Sequence, residues 1–269
     1  MSISRIKTIV IFILLIVNVC LLAIYFVDKY DDMVLGNQTR SALVDFLEAK
    51  GISMNEDRIP NETKRDIYYI TRDIEMERGL VEAVLGSCEA IDQGGYVYLY
   101  KSKNGNAEFR STGRFDITIN KYPTGSKSIE KVSEELLDLM GLDAIRDTSE
   151  GLRSDEIKKV GYICLHEEDE VFNCRINFTY HADGRVEISG NKIVGKIGYL
   201  RQADMLSIAT VLVSFAREAE NTEGISRIES IKPGYMMSAN AAELQPVWRI
   251  ITDCGYYYID AATGTLRVI

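Results

Sequence analysis

The chain has 269 residues, of which 46% are apolar and 26% charged, with only four prolines. That composition excludes the disordered, collagen-like and low-complexity classes and sets an expectation of one large domain or two smaller ones. There are 31 basic against 40 acidic side chains, a net charge of −9. No basic cluster exceeds two or three residues, so nucleic acid is not an expected partner.

Thr8 to Val27 is a stretch of 20 residues without a charge. As a helix rising about 1.5 Å per residue it is long enough to cross the hydrocarbon of a bilayer. A cleaved signal peptide has a shorter apolar region followed by small residues. Here Leu22, Ile24, Tyr25 and Phe26 stand where small residues would be needed, so an uncleaved single-pass anchor is expected. Arg5 and Lys7 precede the span; Asp28, Lys29, Asp31 and Asp32 follow it. This asymmetry places residues 1–7 in the cytoplasm and the bulk of the chain outside the cell. Removing the two basic groups before the span leaves −11 on the rest. Within the span, Asn18 is flanked at helical spacing by Leu14, Leu21 and Leu22. Its amide bonds either a partner transmembrane helix or its own backbone, and the four residues are the candidate partner contact.

Beyond the span, Gln38–Lys50 reads as a helix stopped by Gly51, Ile67–Thr71 as a strand, and Ile74–Leu85 as a helix ended by Gly86. Tyr96–Tyr100 alternates as a strand and turns at Asn104-Gly105 towards Phe109, and Arg114–Asn120 continues the sheet. Tyr122-Pro123-Thr124-Gly125 breaks the pattern and sets an expected boundary between modules 28–122 and 123–269. Ser128 opens a helix with Ile129, Val132, Leu136, Leu137 and Met140 on one face. Strands follow at Val160–His166, Val171–His181 and Arg185–Ser189, then a long helix over Arg201–Glu220. Strands over Ile225–Met236, Val247–Thr252, Tyr256–Asp260 and Leu266–Ile269 end the chain. Helices preceding antiparallel meanders imply an α+β fold of two related modules, each with helices packed on an antiparallel sheet.

No catalytic, cofactor or metal constellation emerges. The two histidines, His166 and His181, lack metal-ligand spacing, and no Walker loop or G-x-S-x-G elbow occurs. Ser128-Ile129-Glu130-Lys131 matches S-x-x-K, but Ser128 has a sufficient task in capping its helix. Cys164 and Cys174 lie symmetrically about Asp169 in a hairpin whose tip, Glu167-Glu168-Asp169-Glu170, reads as a solvated acidic turn. The two cysteines are either a cross-strand disulfide or two buried thiols.

Along almost its whole length the chain resembles the YycI family, with its relative YycH, of Gram-positive bacteria. The resemblance rests on Ser4-Arg5-Ile6-Lys7-Thr8-Ile9 running into the span, Leu47 to Pro60 after the first outer helix, and Leu85-Gly86 before a tyrosine-rich strand. Its most specific part is PepSY-like: Pro246-Val247-Trp248-Arg249-Ile250, then Tyr256-Tyr257-Tyr258-Ile259-Asp260-Ala261 and Thr263-Gly264. The resemblance implies a non-enzymatic membrane regulator of the WalK (YycG) sensor histidine kinase. Its partners would be the lipid bilayer, the kinase and a YycH-like companion. Two other classes stay open: an anchored PepSY-like module that inhibits a protease or captures a peptide, and a surface hydrolase.

Overall fold

The computed structural model describes residues 39–61, 64–123, 125, 127–147, 157–219, 224–238 and 242–267. The expected anchor and its contact residues Leu14, Asn18, Leu21 and Leu22 lie outside them. Among the described residues no helix is long and apolar enough to cross a membrane.

Among the described residues four α-helices form where apolar side chains recur at helical spacing. Helix α1 covers residues 39–49. Helix α2 (Ile74–Leu85) begins at Asp73, whose carboxylate accepts the N–H groups of Glu75 and Met76, and stops at Gly86. Helix α3 (Ile129–Met140) begins at Ser128, whose hydroxyl accepts the Lys131 N–H. It ends at Gly141 in the left-handed conformation (φ 65°), where a residue with a Cβ would be strained. Helix α4 spans Ile208–Ala219.

Among the described residues the strands form one connected, antiparallel-rich sheet of 15 strands in two parts, a terminal and a central sheet. A terminal sheet takes β1 (Ser53–Met54), β2 (Asp66–Arg72), β11 (Gly195–Gln202), β12 (Arg227–Met237), β13 (Glu243–Thr252), β14 (Gly255–Asp260) and β15 (Leu266–Arg267). A central sheet takes β3 (Glu89–Asp92), β4 (Val97–Ser102), β5 (Gly105–Arg110), β6 (Arg114–Ile119), β7 (Ala144–Arg146), β8 (Ile157–His166), β9 (Asp169–His181) and β10 (Val186–Asn191). One parallel bridge, Val171 with Tyr235, joins β9 to β12 and so the two sheets. The molecule is therefore α+β, as expected.

Strand pairing runs across the expected module boundary, and two local expectations are corrected. The pairing crosses Tyr122-Pro123: β6 before it and β10 after it are in register from Ile119–Val186 to Arg114–Asn191. Strands β1 and β2 likewise complete a sheet otherwise built from the end of the chain, so a cut at Pro123 divides both sheets. The helix expected from Arg201 starts only at Ile208, because Arg201 and Gln202 pair with Ile67 and Asp66 of β2 and Ser207 caps α4 by accepting the Thr210 N–H. The β4–β5 turn is Lys103-Asn104, since Ser102 pairs with Gly105. A Cβ at Gly105 would lie 1.9 Å from the Thr118 carbonyl oxygen, so that position requires glycine for close strand approach.

Each sheet buries a helix pair. In the central core α2 (Leu80, Val81, Leu85) and α3 (Val132, Leu136, Leu137) pack on Tyr100, Phe109, Phe115, Ile176 and Phe178. In the terminal core α1 (Leu43, Leu47) and α4 (Val211, Leu212, Phe215) pack on Ile228, Ile231, Trp248 and Ile250. Strand β12 serves both, with Ile228 and Ile231 in the terminal core and Tyr235 and Met237 in the central one. Leu136 is fully buried. Leu136→Ala should cost about 2–5 kcal/mol in urea denaturation of the full chain in detergent. A loss below that range would show that the helix pair is loosely seated.

Candidate functional site

Among the described residues the two sheets share a single backbone bridge, so side chains must supply the rest of the junction, and they come from the tip of the β8–β9 hairpin. The expected solvated turn holds for Glu167 and Glu168, which are exposed, whereas Asp169 forms an ion pair with Arg65 ahead of β2. Glu170 forms a two-pronged pair with Arg249 of β13, at 2.7 Å from Nη1 to Oε2 and 3.1 Å from Nη2 to Oε1. Lys232 Nζ of β12 stands 4.0 Å from the same carboxylate. Alternation breaks at this point because both faces of β9 are covered: Val171 and Phe172, neighbours in sequence, are both buried. Phe172 packs with Val247 and Tyr258 on the side of the terminal sheet away from its helices, and the Arg249 guanidinium lies 4.5 Å from its ring centre. A Cβ at Gly234 would meet that ring at 2.5 Å and the Glu170 carbonyl at 2.7 Å, which makes the approach a glycine-only one.

Two residues on, Asn173 extends the pairing beyond the bridge. Its Nδ2 donates to the Met237 carbonyl at 2.7 Å, and its Oδ1 accepts the Met237 N–H at 2.8 Å. The side-chain amide thus replaces a backbone partner that β9 does not present. Asn191 Nδ2 of β10 in turn donates to the Asn173 carbonyl at 3.2 Å. At the end of β8, His166 stands edge-on to Tyr68 at 4.4 Å and to Tyr235 at 5.8 Å between ring centres. Burial disfavours its charged form and outweighs the opposing pull of Glu167 and Asp169, so its pKa falls below the ordinary imidazole value.

The same junction holds the two cysteines as free thiols. Their strands stay in step as far as Ile163 opposite Arg175, then shift before Leu165, so a bulge interrupts the ladder at Cys164. Cys164 is aligned instead with Ala144 of β7. No bond joins the pair in this structure. Burial pushes the Cys164 thiol up to about 11 and Cys174 higher still, so both are neutral, poorly nucleophilic groups. Cys174 Sγ lies 4.0 Å from Met237 Sδ. The cavity they line with His166 and Lys192 measures about 20 Å³, room for a single water and not for a substrate.

Two wider, open depressions lie elsewhere. One of about 580 Å³ is lined by Asn55, Arg58, Arg227 and Glu229. The other, of about 490 Å³, lies over β6, β9 and β10 between Arg114, Arg175, Asn177 and Asn191. Their arginines are engaged: Arg58 donates to the Glu229 carbonyl, Arg227 pairs with Glu229, Arg114 with Asp116, and Arg175 with Asp147. Among the described residues no three His, Cys, Asp or Glu side chains are grouped to hold a metal ion. Ser128 of the S-x-x-K match sits at the start of α3, its hydroxyl 3.4 Å from the Lys131 nitrogen. Sequence reasoning missed the junction roles of Arg65, Tyr68, Asn173 and Tyr235, none of which belongs to a motif, and of Arg249, which lies in the PepSY-like segment Pro246-Val247-Trp248-Arg249-Ile250; Gly234, between Pro233 and Tyr235 within an expected strand, was one available signal.

No family model matches the chain, and no curated protein matches it. A solved structure of an uncharacterized protein from Eubacterium rectale ATCC 33656 is similar at 10% identity, with a TM-score of 0.48, over 77% of this chain and 86% of that one.

Replacing Asn173 with Ala leaves the Met237 N–H and carbonyl without their partner, at about 1–3 kcal/mol for each group, measured by urea denaturation of the full chain. An unchanged midpoint would show that the amide is not a structural link. The His166 shift gives a second expectation. The unfolded chain takes up this proton first, near pH 6.5, so stability should fall as pH drops from about 7 towards the lower folded-state value. His166→Gln should flatten that part of the curve and leave the fall in more acid solution. A wild-type slope in the variant would contradict the assignment.

Proposed function

We propose that this chain is a membrane-anchored, non-enzymatic regulator of a two-component sensor histidine kinase of the WalK (YycG) type. The observation that carries the reading is the uncharged run from Thr8 to Val27, with Arg5 and Lys7 before it and an acidic body after it. The YycI-like segments of the sequence support it, as does the PepSY-like end of the chain. The anchor lies beside the kinase's transmembrane helices, with Leu14, Asn18, Leu21 and Leu22 as the contact, and the body faces a kinase ectodomain or a YycH-like companion. Such a protein acts by binding one of two receptor arrangements more tightly than the other, and it shifts the balance only by that difference.

Substitution of the segment Thr8 to Val27 by an unrelated membrane span should abolish co-purification of the kinase and its response to deletion of this chain. Recovery of the kinase with the substituted chain would favour the anchored peptide- or protease-binding reading. Failure to recover a kinase with the native chain, together with unchanged kinase output after deletion, would overturn the proposal.

A further inference from the structure

The apolar face of the terminal sheet does not end at β2. Tyr68 and Ile70, partly buried on the central core, are aligned with Tyr199 and Ile197 of β11. There the row runs out to the sheet's edge. Tyr199 is 61% exposed, Ile197 39% and Leu200 44%. Among the described residues β11 pairs only with β2, so its other edge presents backbone N–H and C=O groups without a strand opposite. Strand edges of this length and apolarity are normally shortened, bent or covered. This one is eight residues long and contains no proline.

The charges on β11 specify what completes it. The register slips between Tyr199 and Arg201, and the slip returns Arg201, aligned with Ile67, to the face of Gly198 and Lys196, which are aligned with Tyr69 and Thr71. Two cations therefore bracket one face of the edge in a chain of net charge −9, while Ile197 and Tyr199 make the other face apolar. Lys196 remains 78% exposed although its Nζ lies 3.4 Å from Asp73. Full-length antiparallel pairing with a second copy would set the Lys196 and Arg201 of one strand against the Arg201 and Lys196 of the other. Like charges directly opposite are destabilising, which disfavours self-association.

We propose that the outer edge of β11 takes up an extended segment of a partner protein as an added antiparallel strand. That segment carries two carboxylates four positions apart on one face, opposite Arg201 and Lys196, and β-branched or aromatic residues between them on the other. Backbone pairing supplies the affinity, and the alternating faces supply the choice of sequence. The proposal goes beyond the regulatory reading and does not depend on what the anchor contacts.

The probe is the peptide acetyl-Thr-Asp-Val-Thr-Val-Glu-Thr-amide against its counterpart with Lys at both acidic positions. Both are titrated onto the full chain in detergent by isothermal titration calorimetry, with hydrogen exchange followed by mass spectrometry. The acidic peptide should bind about tenfold more tightly than the lysine one and slow exchange in β11. The double variant Lys196→Glu with Arg201→Glu should reverse the preference while circular dichroism stays unchanged. If that variant fails to fold, Tyr199→Ser should still weaken the acidic peptide. Equal binding of the two peptides, or exchange slowed only away from β11, would overturn the proposal. So would a dimer paired through β11 that the acidic peptide does not dissociate.

Discussion

The junction between the two sheets is held by one strand end, and the rest of the molecule is arranged around it. A lone parallel bridge between Val171 and Tyr235 cannot by itself join two sheets. The Asn173 amide adds a second pair of hydrogen bonds, and the Glu170–Arg249 pair adds a charge-assisted link. Burying such a pair costs desolvation, and burying only one partner would cost more. The two-pronged geometry and the Phe172 ring beneath the guanidinium offset that cost. Gly234 makes the approach sterically feasible, because a Cβ there would occupy the space of the Phe172 ring.

The junction also sets the surroundings of the titratable groups gathered around it. His166, Cys164 and Cys174 meet within one small cavity, the arrangement in which a sequence reader looks for nucleophiles or metal ligands. Burial lowers the His166 pKa and raises those of the two thiols, and the ladder slip at Cys164 separates the thiols from cross-strand pairing. The polar residues serve the joining of two layers. For the proposed regulator, joined layers mean that force or contact on one sheet reaches the other, so an anchored body can act on a partner as a unit.

Much of the helical structure was legible in the sequence, because capping is local chemistry. Asp73 and Gly86 bound α2, and Ser128 and Gly141 bound α3, at the positions expected from side-chain and φ preferences. The buried face of β9 carries Phe172, Cys174, Ile176, Phe178 and Tyr180 in strict alternation, a pattern visible in the sequence itself. Pairing between distant segments was not legible. Strand β11 lacks a clean alternation, and its last residues ran into a helical pattern that its pairing with β2 overrides. Asn173 sits on the polar side of an alternating strand, where solvent is the default expectation, and only the position of β12 makes it a structural link. Of the acidic run at residues 167–170, Glu167 and Glu168 are solvated as expected, whereas the pairing of Asp169 and Glu170 was hidden because Arg65 and Arg249 are far away in sequence.

If the hairpin tip joins the sheets, the two cores should unfold together. Hydrogen exchange of the full chain across a urea series measures this directly. The expected result is one cooperative opening, with β9 and α3 of the central layer and β12 and α4 of the terminal layer sharing the same opening free energy. Exchange of the terminal layer at a distinctly lower free energy, while the central layer stays protected, would contradict it.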